Sequence, residues 1–159
     1  MKTLSCGSIF FILCILFVSN TAHAAQWMDM HGTNCKVEIP GNTTGVFYYG
    51  WGVDFTQKAF TGNWVHCPIP VTGAEQVSKI YVQYYKSSTA GKINVIHLYN
   101  GLNFVKAITP PVGVVGPNSF QIDLGSFMSF GTGLGVTLNI TSGDGSTRFQ
   151  IGDVAAWYQ

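Results

Sequence analysis

Apolar and polar side chains alternate in short runs along most of the chain. Phe47, Tyr49, Trp51, Val53 and Phe55 occupy every second position, the period of a strand with one buried face. Ahead of them, Cys35, Val37 and Ile39 face one way and Lys36 and Glu38 the other, which predicts a strand over 33–40 that stops at Pro40. A short strand is predicted over 63–67. The run 76–86 is clearer, with Ile80, Val82 and Tyr84 on one face and Lys79, Tyr81, Gln83 and Tyr85 on the other. Further strands are predicted over 92–99, 102–108, 119–124, 133–141 and 147–158, and in the last Phe149, Ile151 and Trp157 share one parity. Gly50 and Gly52 flank Trp51, a pattern that marks a bulge or the close approach of another backbone or a ligand.

The punctuation fits the same picture. Asn100-Gly101 between two alternating runs predicts a hairpin with a type I′ turn. Ser142-Gly143-Asp144-Gly145 reads as a second hairpin-type turn, and residues 109–118 form a Pro/Gly loop. No stretch sustains a helical period. About eight or nine short strands at this spacing predict an all-β, two-sheet antiparallel β-sandwich. An up-and-down barrel is the alternative. Spacing alone does not separate a jelly roll from an immunoglobulin-like topology, but a strand count above seven favours the jelly roll.

The first residues change the picture of where the chain works. One basic residue, Lys2, precedes the apolar run 9–18, and a polar stretch then ends in Ala22-His23-Ala24. That order is the layout of a secretory signal peptide, so residues 1–24 are expected to be removed, leaving 25–159 as one β-sandwich domain. The apolar run is shorter than the roughly 20 residues a membrane span needs. No later segment qualifies as a transmembrane span. The expected location is secreted or extracellular, periplasmic or at the cell surface if the source is bacterial. Cys6 and Cys14 leave with the leader, and the remaining Cys35 and Cys67 are expected to form a disulfide.

Charge excludes several partners. Of eight basic residues Lys2 goes with the leader, leaving seven against seven acidic ones. A neutral, charge-poor surface has no basic patch for nucleic acid or anionic lipid. It also favours self-association.

Catalytic patterns are sparse. Gly125-Ser126-Phe127-Met128-Ser129 lacks the closing glycine of a nucleophile elbow. The two glutamates, Glu38 and Glu75, fit exposed positions, and a paired-carboxylate hydrolase is a minor reading. His31, His66 and His97 show no metal-ligand spacing; Asp29 and His31, two apart, are at most half of a site. No cofactor and no metal are expected. Asn42-Thr43-Thr44 and Asn139-Ile140-Thr141 are N-glycosylation sequons, the second inside a predicted strand.

Aromatic residues carry the remaining signal. Tyr81 and Tyr85 share a face with Lys79 and Gln83, so that face is wet, and a ring with polar neighbours stacks on the apolar face of a sugar. Trp51, Trp64, Tyr48 and Tyr99 are further exposed rings in this reading, and His66 shares the parity of Trp64. The ligand-binding candidates are Tyr81, Tyr85, Trp64, Trp51 and His66. The sequence reads as a secreted, non-catalytic module for a glycan or other surface ligand, with a self-associating structural protein of the matrix or envelope as the alternative.

The ordered set His31-Gly32, Val37-Glu38-x-Pro40, Gly50-Trp51-Gly52, Phe55, Asn63-Trp64-x-His66-x-Pro68-Ile69-Pro70 and Tyr81-Val82 resembles a group of small bacterial proteins of domain-of-unknown-function type. The resemblance covers about residues 31–85 and implies no activity and no catalytic residue. The leader, Cys35 and Cys67 depart from that group's pattern and suggest an exported version.

Overall fold

The computed structural model describes residues 25–71 and 76–159; the leader and Glu75 lie outside the described residues. Among the described residues eleven strands form two antiparallel sheets: β1 Gln26–His31, β2 Lys36–Val37, β3 Thr43–Tyr49, β4 Gly52–Gln57, β5 Thr61–Ile69, β6 Gln76–Lys86, β7 Gly91–Asn100, β8 Asn103–Ile108, β9 Gly116–Ser129, β10 Leu134–Ser142 and β11 Thr147–Tyr158. The six-stranded sheet runs β3-β4-β11-β6-β9, with β1 also paired to β11; the five-stranded sheet runs β2-β5-β10-β7-β8. Setting aside β1, β2 and β3 leaves eight strands. Numbered one to eight from β4, they are ordered 1-8-3-6 in one sheet and 2-7-4-5 in the other, the double Greek key of a jelly roll. The periodicity suggests eight or nine because β1 is not predicted by it and β3 and β4 read as one alternating run.

Inward positions of both sheets fill the space between them. Val53 and Phe55 from β4, Ile80 and Val82 from β6, and Phe149 and Ile151 from β11 meet Val65, Ile96, Leu98, Val136, Leu138 and Ile140 from the opposite sheet, all at most 1% exposed. Cys35 and Cys67, also buried, are joined by a disulfide. The bridge fastens the segment following β1 of one sheet to β5 of the other.

Four local expectations change. The run 46–55 is not one strand: β3 and β4 are a hairpin, with Gly50 and Trp51 at its turn and Tyr49 opposite Gly52. Gly52 supplies the close approach, since a Cβ there would lie 2.1 Å from the Ile151 carbonyl oxygen. The predicted strand 33–40 is mostly two 3-10 turns, Gly32–Asn34 and Pro40–Asn42, around the two residues of β2; Ile39 is 44% exposed, turned out of the core. The β7–β8 turn is centred one residue later than expected. Asn100 pairs with Asn103, and positive φ falls at Gly101 but not at Leu102, the signature of a II′ rather than a I′ turn. Lastly, the 143–146 link is no hairpin, because β10 and β11 belong to different sheets and the link crosses the sandwich.

Candidate functional site

The outer face of the six-stranded sheet is organised by its central strand, β11. Phe149 and Ile151 point inward, but the ladder to β6 then slips, with Ile151 opposite Tyr84 and Asp153 opposite Gln83. Gly152 is the extra residue of this β-bulge. Beyond it the parity reverses: Val154, Ala156 and Tyr158 are buried, and Asp153, Ala155 and Trp157 face outward. The shared parity expected for Phe149, Ile151 and Trp157 therefore fails at one residue. The bulge is also where β11 changes partner on one edge, from β4 up to Ile151 to β1 from Asp153 onward.

The registers set out the rows of this face. Trp27 of β1 lies opposite Trp157, which lies opposite Lys79 of β6. In the next row Asp29 faces Ala155, Ala155 faces Tyr81, and Tyr81 faces Gln121 of β9. The following row brings His31, Asp153, Gln83 and Ser119 together. Ala155 has almost no side chain, so the middle of the second row is a floor flanked by rings. Trp27 packs edge-on against Trp157 at 5.3 Å and against Tyr81 at 6.2 Å, and Trp27 remains 40% exposed. Trp27, Asp29, Tyr81, Gln121, Asp153 and Ala155 line a cavity of about 410 Å³.

Four residues further along β6 the same groove opens again. Trp51, Gln83, Tyr85, Pro117, Gln150 and Gly152 line a second cavity of about 230 Å³. Tyr81 and Tyr85 are about 13 Å apart along the strand at roughly 3.3 Å per residue, a span of two to three sugar units. Gly152 provides the second floor, as Ala155 does the first. At the margin, Trp51 stacks on Tyr49 at 5.1 Å and Tyr49 on Phe47 at 6.2 Å. Beneath this ladder the buried Asp54 accepts hydrogen bonds from Arg148 Nε and Gln150 Nε2, and Arg148 Nη2 completes the ion pair.

The groove is electrically one-sided. Asp29 and Asp153 line it, and among the described residues no lysine or arginine does, Lys79 standing in the next row opposite Trp157. Burial pushes the Asp153 carboxyl above the usual carboxylate range, and the charge of Asp29 pushes it further the same way. Among the described residues, no group of three or more His, Cys, Asp or Glu side chains is placed to hold a metal ion.

The structure divides the sequence-derived candidates between two faces. Tyr81, Tyr85 and Trp51 line the groove just described. Trp64 and His66, on β5, lie on the outer face of the other sheet. There the Trp64 ring reaches across β10 to His97 of β7, 4.7 Å between centroids, and His97 meets Phe104 at 5.0 Å. His66 is held by Glu38 and by Thr137, each at 3.1 Å. Tyr48, on the other side of β3 from Phe47 and Tyr49, carries the Lys36 ammonium 4.1 Å from its ring centroid. Trp27 and Trp157 are not among the sequence-derived candidates: the first stands in a short marginal strand, and the second, which shares the parity of Phe149 and Ile151 in the sequence, lies behind the bulge. The only available signal was the run Trp27-Met28-Asp29-Met30-His31, which alternates in the manner of a strand.

Comparison with solved structures brings in relatives of the fold. The xylan-binding module CBM15 superposes with a TM-score of 0.53 at 12% identity, covering 84% of this chain and 97% of that one. A carbohydrate binding module of family 29 superposes with a TM-score of 0.51 at 11% identity, covering 85% and 90%. The fold is shared with carbohydrate-binding modules. No family model matches the chain, and no curated protein matches it.

Proposed function

We propose that this protein is a non-catalytic glycan-binding module and that its site is the groove on the outer face of the six-stranded sheet. The observation that carries the reading is the arrangement of rings and floors. Trp27 and Tyr81 flank Ala155, and Trp51 and Tyr85 accompany Gly152 in the adjoining cavity. Aromatic faces cover the apolar faces of pyranose rings, and the carboxylates and amides between them take up sugar hydroxyls. With two aspartates and no cation in the lining, the groove suits an uncharged polysaccharide and repels a uronate. The likeness to modules whose names describe carbohydrate and xylan binding supports this reading. A disulfide between Cys35 and Cys67 fits an oxidising, extracytoplasmic setting.

The test is calorimetric titration of residues 25–159 with neutral oligosaccharides such as xylohexaose and cellohexaose. Binding to at least one is expected, with the Trp27→Ala and Tyr81→Ala variants each weakened about tenfold, equivalent to about 1.4 kcal/mol. Equal affinity in both variants would remove the site assignment. A second reading draws on one observation, the meeting of Asp29 and Asp153 in this groove with Asp153 biased toward its protonated form. Glycoside hydrolysis uses such a pair as acid and base or nucleophile. Reducing ends released from a neutral polysaccharide, and abolished in Asp153→Asn, would favour it over simple binding.

A further inference from the structure

We propose that the outer face of the five-stranded sheet is a second, independent saccharide site and that it takes acidic, uronate-bearing chains. The geometry repeats the logic of the first face with the opposite charge. The central strand β10 puts Gly135 and Thr137 outward as a low floor, and bulky neighbours from β5 and β7 rise on both sides. In register, Pro68, Gly135 and Tyr99 form one row, and Lys36, His66, Thr137 and His97 the next. One end is barred by the Trp64–His97 contact over β10. The space left, about 590 Å³, is lined by Asn34, Lys36, His66, Tyr99, Gly135 and Thr137, among others. That volume lies in the range of small-ligand sites.

Charge selects the ligand. Lys36 is exposed on this rim, its ammonium 4.1 Å from the Tyr48 ring centroid and with no carboxylate partner among the described residues, while Glu38 is engaged by His66 Nε2. Among the described residues no aspartate or glutamate lines the cavity. Tyr99 is half-buried and presents a ring to the floor, so it can cover a sugar while Lys36 meets a carboxylate. A neutral chain in one groove and an acidic chain in the other, on opposite sides of one sandwich, would make the protein a bridge between two kinds of polysaccharide. The two sites share no lining residue.

The probe is a galacturonate trimer titrated calorimetrically into residues 25–159, alone and with saturating xylohexaose. One trimer per chain is expected, unaffected by xylohexaose and weakened by added salt. Lys36→Ala, Lys36→Glu and Tyr99→Ala should each weaken it about tenfold, while Trp27→Ala/Tyr81→Ala should leave it within about twofold. Lys36 is exposed, so its variants test the site even if Tyr99→Ala disturbs folding. Absence of trimer binding, displacement of the trimer by xylohexaose, or full affinity in the Lys36 variants would overturn the proposal. Trimer binding that persists while no neutral oligosaccharide binds supports this second site and removes only the reading of the first.

Discussion

Replacing both Cys35 and Cys67 by alanine tests how much of the sandwich depends on one cross-link between its sheets. The bridge closes a loop of 32 residues that contains β2, the β3–β4 hairpin and most of β5. Freeing a loop of that length returns about 12 cal/mol/K of entropy to the unfolded chain, or about 3.7 kcal/mol at room temperature. Roughly 130 described residues, at about 2.1 cal/mol/K each, give an unfolding entropy near 0.27 kcal/mol/K, so the midpoint should fall by about 13 °C. Both sulfurs are at most 1% exposed, and their loss from the core adds to the fall. Thermal unfolding followed by circular dichroism, with urea unfolding alongside, measures the difference. A fall below about 4 °C, about 1 kcal/mol on the same scale, would refute the chain-closure argument and leave strand pairing and packing as what holds this segment. Of the 35–67 loop only Trp51 lines the groove, so xylohexaose binding well below the midpoint should persist, weakened no further than Trp51 is displaced.

Other substitutions address separate links. Asp153 has a folded pKa raised by burial and by Asp29, so its ionised form opposes folding above that pKa, and the penalty fades as pH falls through it toward the unfolded value. Asp153→Asn should therefore melt higher than the parent at pH 7 and match it at pH 3; a difference of the same size at both values would contradict the assignment. Gly52→Ala places a Cβ 2.1 Å from the Ile151 carbonyl oxygen at a φ of +151°, and a loss of about 1–3 kcal/mol is expected in urea unfolding. Leu138→Ala, at the centre of β10 and fully buried, should cost about 2–5 kcal/mol without changing saccharide affinity at temperatures where the variant stays folded.

Much of the architecture was legible because alternation records burial directly. Ile80, Val82 and Tyr84 are inward and Tyr81 and Tyr85 outward, as their positions in β6 require. Alternation does not say which sheet a strand joins, and so it grouped Trp64 and His66 with Tyr81 and Tyr85 although they stand on opposite faces. Nor does it register an interruption that keeps the apolar spacing. Phe47 to Phe55 alternates through a hairpin turn because Trp51 occupies the turn at the right interval, and only the flanking glycines hint at the reversal. The link after Ser142 has the composition of a hairpin, and what sends β11 to the other sheet is its pairing with β6 and β4, strands far away in sequence. Trp27 and Trp157 escaped for local reasons, a marginal strand and a single extra residue.

That extra residue, Gly152, makes β11 two strands in one. Its first half presents Phe149 and Ile151 to the core; its second half presents Val154, Ala156 and Tyr158, and turns Asp153, Ala155 and Trp157 to the outer face of the sheet. Drawing Gly152 into the ladder opposite Gln83 would shift every later pair by one and exchange the inner and outer sets downstream, sending Trp157 into a space built for Tyr158. The groove thus exists because β11 carries one residue more than its partner strand at this point.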